Sequence, residues 1–204
     1  PVAADPAPKT MDVVVQNVTI HDGSGKAGFK GDVAIAGDRI VAVGTFALVG
    51  KPKMIDGTGL IAAPGFIDLH THCDAGVVAE DGLRINKCYL MQGCTLVITG
   101  NCGSGPTDVK KYFETMDKNG VGTNVIHQVP HNDVRRQVMG NVNREPTAAE
   151  LKAMEALVDQ GMKDGAYGLA TGLIYNPGTY SKTDELVALA KVAAKHNGFY
   201  ASHI

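Results

Sequence analysis

The sequence lacks an excess of charge of either sign, and it lacks a long hydrophobic run. Its 204 residues carry a formal net charge of −2, which gives no electrostatic basis for binding nucleic acid or an anionic membrane surface. No apolar run comes close to the length of about 18 residues that a membrane-spanning helix requires. We therefore expect neither a nucleic acid nor a membrane as a partner.

Cysteines are also few. The chain has four, Cys73, Cys88, Cys94 and Cys102. Disulfide frameworks are typical of secreted domains shorter than about 100 residues, whereas this chain is longer and has histidines close to its cysteines. At least one cysteine is therefore better interpreted as a metal ligand than as half of a disulfide.

The first ten residues are rich in proline and alanine and predict a flexible lead-in. Such a segment is what remains after a signal peptide is removed, or a cloning remnant. The sequence does not decide whether the protein is located in the bacterial cytoplasm or in the periplasm. The alanine- and proline-rich composition of the first ten residues favours export.

Short strand-like runs without helical periodicity follow over residues 11–63. Residues 12–20 are rich in valine and isoleucine, and 31–44 predict a hairpin that turns at Gly37 and Asp38. Two further short runs lie at 53–57 and 60–63. This segment predicts the N-terminal part of a small β-sandwich domain.

From residue 64 onwards, apolar strands alternate with helical patterns. The predicted strands are 65–70, 95–99, 123–127, 166–170 and 199–203. Alternation of this kind predicts an α/β fold with a parallel sheet, either an open five-stranded sheet or the first five units of a (β/α)8 TIM-like barrel, which needs roughly 250 residues. Because the sequence ends inside an apolar strand, we favour a barrel over 64–204 that is truncated after strand 5.

Reactive side chains fall at the predicted strand ends, where parallel α/β proteins build their sites. His70 and His72 are two residues apart, and side chains at that spacing share one face of a strand. Such a pair can hold two corners of a metal ion. The alternative is a buried strand with two hydrogen-bonded histidines.

The other strand ends carry the residues Cys102, His127, Tyr175 and His203. Cys102 is flanked by glycines and is interpreted as a ligand. His127, like His131 in the loop that follows it, is interpreted as structural. The two remaining histidines, His21 and His196, are expected at the surface.

These motifs resemble the amidohydrolase superfamily and, within it, the N-acyl-D-amino-acid deacylase (D-aminoacylase) family. The resemblance is carried by Pro-Gly-Phe-Ile-Asp-Leu-His-Thr-His at 64–72, Thr-Gly-Asn-Cys-Gly at 99–103, and the segments 131–140, 168–175 and 200–204. The first motif is shared by the whole superfamily, whereas Thr-Gly-Asn-Cys-Gly is much more specific to the D-aminoacylase branch.

The resemblance implies a hydrolase that binds one or two Zn²⁺ ions and cleaves the linear amide of a small N-acyl-D-amino acid. It implies that His70 and His72 bind the more exposed metal, that Cys102 and His203 bind the buried one, and that Tyr175 contacts the substrate near its carboxylate. The general base, an aspartate, is expected beyond the end of this chain, so the 204-residue fragment alone is expected to be inactive.

Two alternatives stay open. One is a relative that acts on a cyclic amide, like a hydantoinase or dihydroorotase. Those relatives usually carry a carboxylated lysine, and no lysine lies near Cys102 or ends the 166–173 strand. The other is one chain of a split or inactive barrel, in which a second polypeptide supplies the remaining strands.

Overall fold

The computed structural model describes residues 10–203. Residues 1–9, which make up almost all of the predicted lead-in, lie outside the described residues, as does Ile204. The chain divides into two compact units, the first ending at Pro64 and the second beginning at Gly65. Within 10–203, no helix combines the length and the apolar character that crossing a bilayer requires.

The first unit is built on a five-stranded mixed sheet. Its strands are β1 (Val13–Ile20), β2 (Phe29–Ala36), β3 (Arg39–Gly44), β4 (Lys53–Asp56) and β5 (Ile61–Ala62). The order is β3-β2-β1-β4, and β5 also pairs with β1. The valine-rich β1 is the central strand, and its Val14 and Val18 are fully buried. Branched side chains such as valine pack well on the face of a sheet.

The second unit is a parallel sheet with helices. Its strands are β6 (Phe66–Asp68), β7 (Cys94–Thr99), β8 (Asn124–Pro130), β9 (Gly168–Gly172) and β10 (Phe199–His203), in the order β10-β9-β8-β7-β6. The helices are α1 (Lys87–Leu90), α2 (Val109–Asn119), α3 (His131–Met139), α4 (Ala148–Lys163) and α5 (Thr183–Lys195). All four strand pairs are parallel, so the predicted α/β class and parallel sheet are confirmed.

Helix α4 shows how the sequence specifies the packing of this unit. The Thr147 hydroxyl accepts a hydrogen bond from the Glu150 backbone at 3.2 Å, and the Glu150 carboxylate accepts one from the Thr147 backbone at 2.7 Å. This is the capping box that the sequence predicts. One turn further on, Met154 and Val158 are fully buried in the same apolar cluster as Leu169 of β9. The helix layer therefore covers one face of the sheet and leaves the strand ends to build the site.

Candidate metal centre

Cys102 lies in a tight turn immediately after β7. The φ angles of Gly100, Cys102 and Gly103 are 80°, 55° and 69°, so three residues of this turn are left-handed. This conformation costs a residue with a side chain roughly 1–2 kcal/mol, and such strain persists only where the surrounding structure imposes it. The Cys102 side chain is buried, with 6% of its surface exposed. The turn therefore holds a thiol in a fixed position at a strand end.

Side chains of the turn itself and of other elements hold this turn in place. The Asp74 carboxylate accepts a hydrogen bond from the Gly100 backbone at 2.7 Å, and the Asp133 carboxylate accepts one from Gly105 at 2.8 Å. The Asn101 amide donates to the Ile98 carbonyl at 2.8 Å. These contacts satisfy backbone donors and acceptors that the sharp turn removes from the sheet ladder. No pattern in the sequence indicated Asp74 and Asp133 as supports of the cysteine.

The histidine pair lies beyond its strand and not within it. The predicted strand 65–70 is shorter in the structure and ends at Asp68, whose carboxylate accepts a hydrogen bond from the His70 backbone at 3.1 Å. Thr71 is buried, and both its backbone nitrogen and its hydroxyl donate to the Ile98 carbonyl, at 3.2 and 2.7 Å. This anchor leaves the flanking His70 and His72 on the same side, with ring centroids 5.3 Å apart.

Three of the predicted ligands converge on the sulfur atom of the fourth, Cys102. The Cys102 Sγ lies 3.3 Å from His70 Nε2, 3.6 Å from His72 Nε2 and 3.2 Å from His203 Nδ1. The donor atoms of His70, His72 and Cys102 lie within 4.8 Å of one another. Among the residues that the structure describes, His203 and the carboxylates stand outside that compact group of three. The sulfur is therefore a common point between the histidine pair on one side and His203 on the other.

The spacing of these atoms fits zinc. With Zn–S near 2.3 Å and Zn–N near 2.0–2.1 Å, a tetrahedral ion separates a sulfur and a nitrogen by about 3.5 Å. The three observed separations, 3.2 to 3.6 Å, bracket that value. Burial raises the pKa of the Cys102 thiol, whereas a bound cation favours the thiolate. A cavity of about 40 Å³ borders Cys102, His70 and His203, which leaves room for an ion.

Tyr175 lies next to this cluster. The residue is 47% exposed, and its ring stands nearly perpendicular to the His203 ring, with centroids 5.3 Å apart. Its backbone nitrogen donates to the Gly172 carbonyl at 3.1 Å, which places the residue just past the end of β9. The phenol is therefore accessible to a small molecule bound at the cluster, and its contact with substrate stays a prediction.

The remaining histidines have other partners. His127 is fully buried, with its ring nitrogens 2.8 Å from the Thr99 hydroxyl and 2.9 Å from the Pro106 carbonyl. Burial lowers the pKa of His127 and so favours its neutral form. His196 lies 2.8 Å from an Asp159 carboxylate oxygen, and His21 is exposed. None of these rings contacts the Cys102 sulfur.

His131 belongs to a buried ionic network. Its Nε2 lies 2.9 Å from Glu185 Oε1, and Arg135 Nη1 lies 2.6 Å from Glu185 Oε2. The Ser181 hydroxyl lies 3.4 Å from the same Nε2 atom. A Ser-His-Glu relay would use the two ring nitrogens separately, so this group is not arranged as a nucleophilic triad.

Comparison with known proteins gives consistent similarities. A family model described as the amidohydrolase family matches residues 53–202. An N-acyl-D-aspartate deacylase from Alcaligenes xylosoxydans xylosoxydans is 34% identical over 98% of this chain and 44% of its own length. The chain thus spans less than half the length of such relatives.

Two solved structures are similar in both fold and sequence. An N-acyl-D-glutamate deacylase from Bordetella bronchiseptica, complexed with zinc and a phosphonate mimic of the tetrahedral intermediate, is 32% identical with a TM-score of 0.88. The match covers 96% of this chain and 45% of that one. A D-aminoacylase with a binuclear metal centre, described as activated by one metal and attenuated by the second, is 31% identical with a TM-score of 0.86. That match covers 94% of this chain and 45% of the other.

Proposed function

The chain belongs to the amidohydrolase family, and on that premise we propose that the full-length protein is a zinc-dependent hydrolase that cleaves the linear amide of N-acyl-D-amino acids. The observation that carries the proposal is the convergence of three imidazoles on the Cys102 sulfur at 3.2 to 3.6 Å. The similarity to proteins named as D-amino-acid deacylases supports the substrate class.

We assign His70 and His72 to the more exposed metal position, and Cys102 and His203 to the buried one. The assignment is supported by burial, since His70 and His72 are exposed whereas Cys102 is buried and His203 is half-buried. The site would then take one or two zinc ions. Bound zinc would lower the pKa of a water molecule towards neutrality and polarise the amide carbonyl.

The protein's own residues orient the substrate and move the proton. We assign to the Tyr175 hydroxyl a hydrogen bond donated to the substrate carboxylate, because this phenol is exposed beside His203. The general base takes the proton of the attacking water and passes it to the leaving amine. We assign that role to an aspartate in the part of the full-length protein that this chain does not cover.

The proposal predicts which stereoisomer is hydrolysed. With zinc present, the full-length protein should release amine from N-acetyl-D-amino acids and not from the L isomers, measured by following free amine. Chelation should abolish the release and added zinc should restore it, because the attacking water depends on the metal. The fragment 1–204 should release none.

A parallel assay with hydantoin separates the alternatives. Opening of hydantoin, or release from the L isomers at a comparable rate, would contradict the proposal. No turnover of any of these substrates by zinc-loaded full-length protein would favour a barrel that has lost its chemistry.

A further inference from the structure

The buried amide of Asn132 lies where three segments of the site meet. Asn132 is fully buried near the start of α3, and its Nδ2 donates to the Gly172 carbonyl at 3.0 Å. The same nitrogen is 3.5 Å from the Tyr175 carbonyl, and the Gly172 backbone nitrogen donates to its Oδ1 at 3.4 Å. The Asn132 amide therefore pairs with both the carbonyl and the backbone nitrogen of Gly172, as the backbone of a neighbouring strand would.

Glycines bring the backbone close to this amide on two further sides. A β-carbon added at Gly103 or at Gly178 would overlap the Asn132 Oδ1 atom. Gly103 directly follows Cys102, and Gly178 lies three residues after Tyr175. The amide is thus enclosed by the cysteine turn and by the segment 172–178.

The segment 172–178 also contacts the proposed ligands through its backbone. A β-carbon at Gly172 would overlap the Cys102 carbonyl oxygen, and the Leu173 backbone nitrogen donates to the His203 carbonyl at 2.7 Å. A shift of this segment would therefore change the position of the Tyr175 ring relative to His203. Asn132 is the buried side chain that bonds both ends of the stretch from Gly172 to Tyr175.

We propose that Asn132 is a positioning residue, whose amide fixes segment 172–178 and thereby sets Tyr175 against the metal site for substrate binding. The inference rests on the proposed function for its kinetic consequence only, since the backbone contacts exist without substrate. Asn132 touches neither the Cys102 sulfur nor the ligand nitrogens at hydrogen-bond distance. Its loss should therefore affect substrate affinity more than metal content.

The test uses Asn132→Asp in the full-length protein, because aspartate keeps the shape and loses the donor to Gly172. Hydrogen exchange measured by mass spectrometry should show faster exchange in 172–180, with α4 unchanged. For an N-acetyl-D-amino acid, KM should rise about tenfold, the size expected from losing one buried hydrogen bond, with little change in kcat or zinc content. The exposed Asn141→Asp, which adds the same charge, should leave both measurements unchanged.

A double-mutant cycle with Tyr175→Phe tests whether Asn132 acts through Tyr175. In that background, Asn132→Asp should raise KM by less than about twofold, since coupled residues are not additive. If Asn132→Asp does not fold, Asn132→Ser serves in the same comparisons. Unchanged exchange in 172–180, or an equal effect on KM in both backgrounds, overturns the proposal. A wild-type protein inactive on D substrates overturns the proposed function instead, and the exchange comparison then decides the role of Asn132.

Discussion

Replacing Cys102 with alanine is expected to remove zinc and turnover together from the full-length protein. All three imidazoles lie 3.2 to 3.6 Å from the sulfur, so its loss removes a proposed zinc ligand from the centre of the cluster. Metal catalysis supplies several kcal/mol of transition-state stabilisation, so turnover should fall by at least about 10³-fold. Metal analysis of the purified variant and its rate on an N-acetyl-D-amino acid are the measurements.

Two comparisons separate this effect from misfolding. Alanine at residue 102 keeps the left-handed φ of 55° and adds no new backbone strain relative to cysteine. Cys88→Ala, at an exposed free thiol, should retain zinc and full turnover. A Cys102→Ala protein with wild-type zinc content and rate would contradict the assignment of Cys102 as a ligand.

The resemblance to the amidohydrolase superfamily and its D-aminoacylase branch, predicted from short motifs, is confirmed by similarities that extend over almost the whole chain. The parallel sheet was predictable because short apolar runs alternate with helical patterns, of which α4 and α5 have the clearest periodic faces. The capping box of Thr147 and Glu150 was predictable because its partners are three residues apart. Each of these signals is local.

The convergence of His70 and His72 was predicted for a reason that the structure revises. A strand reaching residue 72 would place both rings on one face, yet β6 ends at Asp68. His70 and His72 still lie on the same side because Thr71, which stands between them, is hydrogen-bonded to the Ile98 carbonyl. Ile98 is 27 positions away, so nothing in the local sequence indicates this contact. The spacing was thus informative although the strand itself is shorter.

The supports of the cysteine turn could not be predicted from the sequence for the same reason. Asp74 bonds Gly100 across 26 positions, and Asp133 bonds Gly105 across 28. Nothing within either segment indicates its partner. The glycines around Cys102 permit a sharp turn, since glycine adopts positive φ without strain. They did not show which side chains would enclose it.

Replacing Glu185 with glutamine is expected to cause a large loss of stability at a position outside the metal site. Arg135 is fully buried, and its Nη1 lies 2.6 Å from the Glu185 carboxylate, which His131 also contacts at 2.9 Å. Removing one partner of a buried pair leaves an uncompensated charge and costs about 3–5 kcal/mol. Chemical denaturation of the wild type and of Glu185→Gln at pH 7 measures the difference.

The pH dependence gives this prediction a second check. Burial alone would raise the pKa of Glu185, but the hydrogen bond from His131 and the charge of Arg135 outweigh it and hold that pKa below its ordinary value of 4.5. A carboxylate with a depressed pKa contributes stability above its unfolded-state value and loses it as the pH falls through the folded-state value. The difference in free energy of unfolding between the wild type and Glu185→Gln should therefore have its full size at neutral pH and should decrease below about pH 4.5.

The same chemical change at an exposed ion pair provides the control. Glu114 pairs with Lys110 on the surface of α2 at 4.0 Å, and such a pair contributes about 0–1 kcal/mol. Glu114→Gln should therefore unfold close to the wild type at every pH. Equal free energies of unfolding for Glu185→Gln and Glu114→Gln at pH 7 would show that Arg135 does not depend on Glu185 for its charge compensation. The expected contrast arises mainly from burial, because the two substitutions remove the same charge but leave behind the buried Arg135 in one case and the exposed Lys110 in the other.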